Sequence, residues 1–557
     1  MPRRRRLEID ERVLADGSVS KSVDRLEVEA AVTQLLADGV TALAICFFNS
    51  FVNASNERAA AEIVRELVPD LPLSLSCEVD PRIREYERVS TTVMNSYAMP
   101  RLQKYMHRLQ GALPSNVPIN YMQSGGGVVP GSLAANFPIH LLYSGPAAGV
   151  LASQAIAREQ DLDAVCTMDM GGTSCDVCLI QDGAPSIKDL VEPEWGIPIR
   201  TPTLDIRAIG AGGGSVAWID SGGALRVGPQ STGSDPGPAS YGRGGVQPTV
   251  TDANLILGIL NPTGLLGGRM PLDVQAAQTA FEPLARALEL SIEQTALGVF
   301  RIVNANMAQA VRELTVRVGV DPRYFTLLPF GGAGGQHAAS VASEVGMQRI
   351  VFPRNASAFS AYGLLQADLQ YTSAVTLMRP IDDIPPERLK AVFSELESTA
   401  WASLGTEQLR DAPTSANYWA DVRYIGQSHE IAVPVSLNGE VDVDRIETDF
   451  RALHERLYGV WSDNPAEVVD LRTTVTGEVR SVHMPHFEPT TVDAAPNAFR
   501  QTAFAPEPLP VFWRDSLPPG WRSDSACLVE EVDSVILVTG GAFEVDKYGN
   551  LVLEFAR

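Results

Sequence analysis

The first part of the chain alternates between segments with helical spacing and short segments that are almost entirely apolar. Apolar residues recur every three or four positions in residues 27–39, and residues 41–48 follow as a nearly continuous apolar run. Residues 56–67 and 73–77 repeat the same order. Helical spacing indicates an amphipathic helix, whereas a short continuous run is typical of a strand covered on both faces. The alternation therefore predicts a mostly parallel α/β sheet.

This alternation continues through the middle of the chain and changes after about residue 377. Residues 83–113 have a helical pattern that we expect to break at Pro100, because proline cannot donate a helical hydrogen bond. Further expected elements are a helix at 147–158, a strand at 164–170, hairpins within the Gly- and Pro-rich residues 203–251, helices within 273–320 and a strand at 326–329. Later segments are mostly short strands and Pro-bearing turns, which predicts a β-rich C-terminal region. We expect three consecutive domains, at residues 1–140, 141–377 and 378–557.

Composition narrows the class of protein. The chain has 557 residues, of which 45% are hydrophobic and 20% are charged, as in a soluble globular protein with a large core. The formal net charge of -23 makes nucleic acid a poor partner, and the basic run Arg3–Arg6 is interpreted as a solvated stretch on a strand. No segment has the apolar length of a membrane span, and six scattered cysteines do not suit a disulfide framework. We expect a cytoplasmic protein that binds neither nucleic acid nor a membrane.

Residues 169–176, which read Asp-Met-Gly-Gly-Thr-Ser-Cys-Asp, form the first candidate site. Apolar segments on both sides predict two strands joined by a diglycine turn. Glycines let phosphate oxygens approach the backbone, and the amides of such a turn form an anion-binding concavity. Thr173 and Ser174 add hydroxyl donors, and Asp169 suits Mg²⁺, which pairs one or two carboxylates with substrate phosphates. An ordinary hairpin turn explains the segment equally well.

Two further segments are rich in glycine. Residues 331–335 follow a strand and precede a helix, whose N-terminus attracts phosphate, and their small size leaves room for a base or a sugar. A tight strand-to-helix connection is the plainer explanation when this segment is taken alone. The triglycine, Gly212–Gly214, lies between two apolar strands, where three consecutive glycines cost chain entropy. Close approach of the backbone to a ligand would account for them, and so would a bulge.

Polar residues near the triglycine are candidates for function or for helix capping. Asp205 and Arg207 precede it and are candidate substrate contacts. Thr251 and Asp252 follow it, just before the helical pattern of residues 253–260. Capping of that helix is the commoner reason for such residues at this place.

A series of segments occurs in an order that matches a known family. They are residues 85–92, 144–150, 169–176, 209–215, 235–241, 248–254, 330–337, 359–363, 424–430 and 545–550. The first reads Glu-Tyr-Glu-Arg-Val-Ser-Thr-Thr and the second Ser-Gly-Pro-Ala-Ala-Gly-Val. Each segment alone is modest, but the ordered set covers essentially the whole chain. The chain resembles the A-type subunit of ATP-dependent hydantoinases, the matching half of 5-oxoprolinase and the related subunit of acetone carboxylase.

This resemblance implies both a fold and a chemistry. The implied α/β fold is the ribonuclease H-like ATPase of actin, sugar kinases and Hsp70, in which each of two lobes supplies a phosphate hairpin and a later Gly-rich turn holds the nucleoside. The implied reaction transfers the γ-phosphoryl group of ATP to the oxygen of a cyclic amide, such as a hydantoin or 5-oxoproline. A B-type partner subunit then completes ring opening. The alternatives are the phosphorylating subunit of a ketone carboxylase and a truncated chain that is inactive alone.

The same resemblance implies the site residues. Residues 169–176 match the second phosphate hairpin, and residues 331–335 match the nucleoside loop. Asp169 and Asp176 are the expected catalytic residues, and Asp169 is also the expected Mg²⁺ ligand. The expected contacts to ATP are Gly171, Gly172, Thr173, Ser174, Gly212, Gly213, Gly214, Gly331, Gly332, Ala333, Gly334, Gly335 and His337. His337 is also a candidate substrate contact.

The start of the chain departs from the family pattern. Family members open with their own Asp-x-Gly-Gly-Thr-x-x-Asp hairpin, and this chain has no such segment before residue 169. Residues 1–20 instead resemble a segment well inside the first lobe of the family. We therefore expect the N-terminal start of the family to be missing and the first lobe to be incomplete.

Overall fold

The computed structural model describes residues 2–114, 116–405, 412–437, 442–479, 482–490 and 494–555. These residues form two compact units, each assembled from segments that are far apart in the sequence. The segments of unit 1 are Met1–Ser144, Lys188–Thr203 and Ala367–Arg480, and those of unit 2 are Gly145–Ile187, Leu204–Gln366 and Ser481–Arg557. The units differ from three consecutive domains, because the chain passes from one unit to the other several times.

Helices occur in both units. They are α1 (Arg25–Ala37), α2 (Ser55–Leu67), α3 (Ser76–Val79), α4 (Glu85–Gly111), α5 (Gly131–Asn136), α6 (Ser144–Glu159), α7 (Val250–Ile256), α8 (Val274–Leu288), α9 (Ile292–Val318), α10 (Gly334–Val345), α11 (Phe359–Leu364), α12 (Pro386–Leu404) and α13 (Val443–Tyr458). Several begin at a side chain that accepts hydrogen bonds from first-turn amides, as Asp24 does for α1 and Ser291 for α9. Within the described ranges, none of these helices combines the length and the apolar character that a membrane crossing requires.

Strands also occur in both units, and the longest lie in unit 1. They are β1 (Arg12–Val13), β2 (Val19–Lys21), β3 (Leu43–Ile45), β4 (Leu73–Leu75), β5 (Asn120–Met122), β6 (Val128–Pro130), β7 (Ala164–Met170), β8 (Cys175–Gln181), β9 (Ala184–Pro185), β10 (Ile187–Val191), β11 (Ile199–Leu204), β12 (Arg207–Ile209), β13 (Ser215–Ile219), β14 (Leu225–Ser231), β15 (Thr326–Phe330), β16 (Arg349–Phe352), β17 (Leu369–Pro380), β18 (Thr414–Tyr424), β19 (Ile431–Val435), β20 (Ala466–Gly477), β21 (Ala498–Arg500), β22 (Leu509–Trp513), β23 (Arg522–Ser523), β24 (Cys527–Glu530), β25 (Val535–Val538), β26 (Ala542–Val545) and β27 (Leu551–Glu554).

A large central sheet organises unit 2. Its strands run in the order β12-β8-β7-β15-β16-β27-β26-β23. Strand β8 is antiparallel to both β12 and β7, whereas β15 is parallel to β7 and β16 is parallel to β15. Of the first five strands, β8 therefore runs opposite to the other four. Strand β15 is buried along its whole length, as a central strand covered on both faces should be.

The end of the chain completes this sheet. Strand β27 pairs with β16 in antiparallel register, with Phe352 opposite Leu551 and Arg349 opposite Glu554. Strands β26 and β23 continue the sheet beyond β27. The C-terminal strands thus share the core of unit 2, whereas the sequence predicts a separate domain at residues 378–557. The strand that pairs with β27 is β16, which is too far away in the sequence to be recognised from local patterns.

Unit 1 contains a small parallel pair of strands and a larger mixed sheet. Strands β3 and β4 pair in parallel, and Val32 of α1 and Val64 of α2 share their core. The larger sheet has the order β19-β18-β20-β17-β6-β5. Phe393 of α12 and Phe450 of α13 belong to the apolar core that this sheet forms with those helices.

Helix α4 continues through Pro100, so the expected break at this residue is wrong. Side-chain hydrogen bonds hold the helix on the turn before the proline. Asn95 Nδ2 donates to Ser74 Oγ at 3.0 Å, and Ser96 Oγ donates to the carbonyl of Leu43 at 2.7 Å. These tertiary contacts offset the lost helical hydrogen bond and the ring clash, which together cost about 3 kcal/mol.

A cluster of buried charges lies inside unit 1. Arg82 Nε is 2.8 Å from Asp80 Oδ1, and Arg200 Nη1 is 3.3 Å from Asp80 Oδ2. Thr376 Oγ1 donates to Asp470 Oδ1 at 2.5 Å. Burial raises the pKa of Asp470 to about 7, although the charges of Arg82 and Arg200 oppose this shift. The Asp470 carboxyl therefore changes its charge near neutral pH.

Replacing Asp470→Asn should make unit 1 less sensitive to rising pH. An unfolded aspartate ionises near pH 3.9, so the folded protein holds this proton more tightly and loses stability as the pH rises towards about 7. The loss has an upper bound of about 1.4 kcal/mol per pH unit. The asparagine keeps the oxygen that accepts from Thr376 and has no proton to lose. Thermal unfolding should give a Tm difference, variant minus parent, that is more positive near pH 8 than near pH 5.

The control is Asp421→Asn in the same sheet. Asp421 Oδ1 accepts from Arg472 Nη2 at 2.6 Å, so this change keeps an accepting oxygen but removes the negative charge beside a largely buried guanidinium. It should lower the Tm at both pH values. A Tm difference for the Asp470 variant that is the same at both pH values would contradict the role given to this carboxyl.

Candidate functional site

Strands β7 and β8 bring the two carboxylates of residues 169–176 together. Asp169 lies directly opposite Asp176 in the antiparallel register. The amide of Gly171 donates to the carbonyl of Ser174 at 3.1 Å and closes the turn. The structure therefore contains the expected strand, turn and strand, with both carboxylates half-buried at the end of the ladder.

The tip of this hairpin is the diglycine, Gly171–Gly172, and it is exposed together with Thr173. Neither glycine has a φ in the left-handed region that favours glycine. A Cβ at either position would meet no described atom within 4 Å. Neither backbone conformation nor packing within the protein therefore accounts for these glycines.

Both carboxyl groups have raised pKa values. Burial raises the pKa of Asp169 to about 6, and the adjacent charge of Asp176 adds to the effect. Burial also raises the pKa of Asp176 to about 6, against a lowering by the Ser174 hydroxyl, whose Oγ lies 3.5 Å from Asp176 Oδ2. Among the described residues, no lysine or arginine contributes to either shift. The two carboxyl groups are thus close together and partly desolvated, and no basic side chain among the described residues offsets their charge. Such a pair favours the binding of a cation.

The donors at this place suit a hard divalent cation such as Mg²⁺. Carboxylate oxygens are the side-chain ligands that Mg²⁺ prefers. Among the described residues, no group of three or more His, Cys, Asp and Glu side chains is arranged to hold a metal ion. A pair of carboxylates is sufficient where substrate phosphates and water complete the shell. Asp169 and Asp176 fit this kind of site beside the open hairpin tip.

The triglycine contacts the hairpin. The amides of Gly213 and Gly214 donate to the two carbonyls of the diglycine at 2.9 Å and 2.6 Å. The amide of Gly212 donates to Ser215 Oγ at 2.9 Å. All three residues are buried. The expected contact of Gly212, Gly213 and Gly214 with ATP does not fit this structure, because their amides are already used inside the protein.

Close approach of two backbones explains the triglycine. A Cβ at Gly212 would lie 2.6 Å from backbone atoms of Gly172 and Thr173. A Cβ at Gly214 would lie 2.9 Å from the carbonyl oxygen of Gly172. The sequence predicts close approach to a ligand or a bulge, and the structure shows that the neighbour is the hairpin. The triglycine therefore supports the site from behind.

The loop at residues 331–333 supports the hairpin from another side. Gly331 has a φ of 80°, and a Cβ there would lie 2.5 Å from the carbonyl oxygen of Met170 and 2.6 Å from Asp169 Oδ1. The amide of Ala333 donates to the carbonyl of Met170 at 3.0 Å. Only glycine fits this position, because any side chain would displace the Asp169 carboxyl or the strand before it.

The expected nucleoside contacts are not equally accessible. Gly332 is exposed and Gly331 is half-buried, whereas Ala333, Gly334 and Gly335 are buried. A Cβ at Gly335 would lie 2.8 Å from the carbonyl oxygen of the first residue of β25, so packing explains this glycine. Gly331 and Gly332 are therefore the members of this loop that are placed to meet a ligand.

His337 is a core residue. Its Nδ1 lies 2.8 Å from Asn304 Oδ1, and its Nε2 lies 2.9 Å from Asn254 Nδ2. The ring stacks on Phe300 with a centroid distance of 4.8 Å. Burial lowers the pKa of His337 to about 3, so the ring is neutral. The expected contact of His337 with ATP or substrate does not fit, because the side chain is fully enclosed and both nitrogens are used.

The polar candidates near the triglycine have structural partners. Arg207 Nη2 pairs with Glu313 Oε2 of α9 at 2.8 Å, and Asp205 pairs with Arg317 of the same helix. These ion pairs tie the segment before the triglycine to α9. These ion pairs give Asp205 and Arg207 a structural role, so neither residue needs a substrate contact to explain its presence.

Helix capping at the start of α7 is confirmed. Thr249 is the N-cap residue and forms a capping box with Asp252. The Asp252 carboxylate also accepts from the amide of Ser240 at 2.8 Å. Thr251, expected as a cap, instead donates its hydroxyl to the carbonyl of Gly213 at 2.9 Å. This residue therefore connects α7 to the triglycine.

Sequence reasoning missed the role of several buried residues. Asn254 on α7 and Asn304 on α9 are buried amides. Their presence as polar residues inside apolar helical patterns is the sequence feature that could have identified them. Gly149 and Gly363 belong to two of the family segments, without a role assigned from sequence. A Cβ at Gly149 would overlap the ring of Phe330, so packing accounts for that segment.

Comparisons with known proteins agree with this fold. The hydantoinase/oxoprolinase family matches residues 88–373, and its N-terminal region matches residues 1–68. The alpha subunit of caprolactamase from Pseudomonas jessenii is 34% identical over 560 residues, which covers 97% of this chain and 80% of the relative. The crystal structure of ATP-dependent caprolactamase from that organism has a TM-score of 0.84 at 33% identity, and the match covers 99% of this chain and 82% of the other.

Two more distant proteins extend the comparison. The 5-oxoprolinase of Saccharomyces cerevisiae is 30% identical over 536 residues, which covers 90% of this chain and 40% of the relative. The nucleotide-free structure of acetone carboxylase has a TM-score of 0.81 at 23% identity, covering 98% of this chain and 81% of the other. The likeness to acetone carboxylase concerns the fold alone.

The sheet order and these structural likenesses define an α/β protein with an ATPase-like fold. The chain belongs to the hydantoinase/oxoprolinase family. The expectation that the N-terminal region of the family is missing was wrong, because residues 1–68 match that region.

Substituting Gly212→Ala should destabilise unit 2. The new methyl group would lie 2.6 Å from the hairpin backbone. Strands β7 and β8 could make room for it only by shifting their hydrogen-bonded ladder. Overpacking of this kind typically costs about 1–3 kcal/mol. The matched control is Gly540→Ala, where a Cβ meets no described atom within 4 Å and φ is not left-handed. Equal Tm values for the two variants would show that close packing of the triglycine against the hairpin does not stabilise unit 2.

Proposed function

We propose that this chain is the ATP-using subunit of an enzyme that activates a cyclic amide for ring opening. Membership of the hydantoinase/oxoprolinase family and the similarity to an alpha subunit of caprolactamase support this proposal. The observation that carries it is the diglycine, whose two glycines are explained by neither backbone conformation nor packing. Open space above this tip, beside a pair of carboxylates, suits a phosphate chain with its Mg²⁺.

Each part of the hairpin has a role in this proposal. The amides at the tip bind phosphate oxygens, and the hydroxyls of Thr173 and Ser174 add further donors. Asp169 and Asp176 hold Mg²⁺, which neutralises phosphate charge. When bound, ATP would supply a phosphoryl group to the amide oxygen of the substrate and turn that oxygen into a leaving group. Gly331 and Gly332 leave room for the nucleoside.

The proposed enzyme has more than one subunit. The name of the Pseudomonas jessenii relative, caprolactamase subunit alpha, refers to an assembly of subunits in that protein. We assign the hydrolytic completion of ring opening to a B-type hydantoinase partner, as the family resemblance implies. The proposed compartment is the cytoplasm, which is consistent with the absence of a disulfide among the six described cysteines.

A ketone carboxylase is the second candidate function. The hairpin would serve it equally, since phosphorylation of a ketone oxygen needs the same phosphate and Mg²⁺ contacts. The fold shared with acetone carboxylase is the observation in its favour.

The decisive experiment measures phosphate release by the purified chain with a co-expressed B-type subunit, ATP and Mg²⁺. The substrates are a lactam, 5-oxoproline, a hydantoin and acetone, each with and without bicarbonate. We expect a cyclic amide to stimulate ATP hydrolysis, and bicarbonate to have no effect. Stimulation by acetone alone, and only with bicarbonate, would favour the carboxylase. Absence of both ATP binding and hydrolysis would contradict the proposal.

Substituting Gly172→Ala should separate nucleotide binding from folding. The methyl group would enter the open space at the tip, where no described atom lies within 4 Å, so the Tm should remain close to that of the parent. Phosphate oxygens would lose close access to the backbone, and the affinity for MgATP should fall at least about tenfold, or about 1.4 kcal/mol. Isothermal titration calorimetry measures this change, with Gly540→Ala as the control. Unchanged affinity would mean that the hairpin is an ordinary turn.

A further inference from the structure

Hydrogen bonds lead from the hairpin to helix α7. The triglycine donates two amides to the diglycine, as described above. The carbonyl of Gly213 then accepts from the amide of Thr251 at 2.7 Å and from its hydroxyl at 2.9 Å. Thr251 is in the first turn of α7 and is buried. The position of the hairpin tip is therefore fixed relative to this helix.

A second series of hydrogen bonds leads from α7 to the loop at residues 331–333. Asn254 is three positions after Thr251, on the same face of the helix. Its Nδ2 donates to Gln336 Oε1 at 2.6 Å and to His337 Nε2 at 2.9 Å. Gln336 Nε2 in turn donates to the carbonyl of Gly332 at 3.1 Å. The exposed glycine of the nucleoside loop is thus connected to α7 through two side-chain amides.

The two series form a closed circuit. The loop returns to the hairpin through the amide of Ala333, which donates to the carbonyl of Met170 at 3.0 Å, one residue before the diglycine. Thr251, Asn254 and Gln336 are all less than a tenth exposed. Buried hydrogen bonds of this kind are costly to break, because the released groups cannot turn to water.

The direction of the hydrogen bonds fixes the orientation of Asn254. An amide nitrogen can only donate, so His337 Nε2 accepts and the ring proton is on Nδ1, where it is donated to Asn304 Oδ1. Rotating the Asn254 amide by half a turn would place its oxygen against two acceptors. The Asn254 oxygen itself is buried, with no hydrogen-bond partner among the described residues. Both hydrogens on the Asn254 nitrogen are therefore committed to the circuit.

We propose that Asn254 is a positioning residue that sets the hairpin and the nucleoside loop at the spacing that one ATP molecule requires, an inference that rests on the proposed function. Asn254 is enclosed and touches no ligand, so its effect acts through Gln336 and Thr251. Two sites on a single ligand gain affinity from a fixed spacing, because the protein need not order them on binding. Loss of the circuit should weaken binding of the whole nucleotide more than binding of its parts.

Asn254→Asp tests this with little change in size. The substitution replaces the donor nitrogen by an oxygen that faces Gln336 Oε1 and His337 Nε2, which are both acceptors. The affinities of the full chain for MgATP, for magnesium tripolyphosphate and for adenosine are measured by calorimetry, with Tm recorded for each variant. Tripolyphosphate probes the hairpin alone, and adenosine probes the loop alone. Thr251→Val removes the hydroxyl that donates to the Gly213 carbonyl and leaves the amide that donates to the same oxygen, whereas Thr251→Ser keeps both donors. Gly540→Ala is the control outside the circuit.

We expect Asn254→Asp and Thr251→Val to weaken MgATP binding at least about tenfold, with both fragment affinities within about twofold of the parent. Thr251→Ser should restore MgATP binding. A merely structural role predicts that all three affinities fall together with Tm, and unchanged MgATP affinity predicts no role; either result would overturn the inference. If Asn254→Asp does not fold, the Thr251 pair decides between these outcomes. A parent chain that does not bind MgATP would refute the proposed function itself, which distinguishes the two failures.

Discussion

Contact between glycine backbones is the constraint on which the candidate site depends. The hairpin between β7 and β8 is enclosed by the triglycine behind it and by Gly331 beside it, and neither place has room for a Cβ. Three Gly-rich segments that are far apart in the sequence are therefore parts of one structure. Two of them support the site, and the diglycine at its tip faces open space. This division explains why glycine is needed at each place for a different reason.

Two clusters of buried charge differ in how they are compensated. In unit 1, Arg82 and Arg200 compensate Asp80, and the cluster has the character of a structural ion network. In unit 2, burial raises the pKa of both Asp169 and Asp176, and no described lysine or arginine contributes to either shift. Holding acidic groups together without compensation costs stability, and carboxyl groups with such shifted pKa values cluster at functional sites. A divalent cation with phosphate would supply the missing positive charge and the missing ligands.

Local patterns predicted much of the fold, including the α/β alternation, the hairpin and the capping at α7. They failed where a distant partner decides the outcome. Tertiary hydrogen bonds hold α4 through Pro100, and β16 recruits the C-terminal strands. At the site, sequence identified the Gly-rich segments but not which of them is open to a ligand. The Gly212–Gly214 amides and the His337 ring are occupied by neighbours that no local pattern reveals.

The proposed role of the hairpin tip is to hold the phosphates of ATP. A crystal structure of the full chain with Mg²⁺ and a non-hydrolysable ATP analogue tests it most directly. We expect phosphate density within hydrogen-bond distance of the diglycine and Thr173 amides, with Mg²⁺ beside Asp169 and Asp176. The nucleoside should lie against Gly331 and Gly332. A nucleotide bound elsewhere, with the hairpin tip left empty, would show that this hairpin does not hold the phosphates.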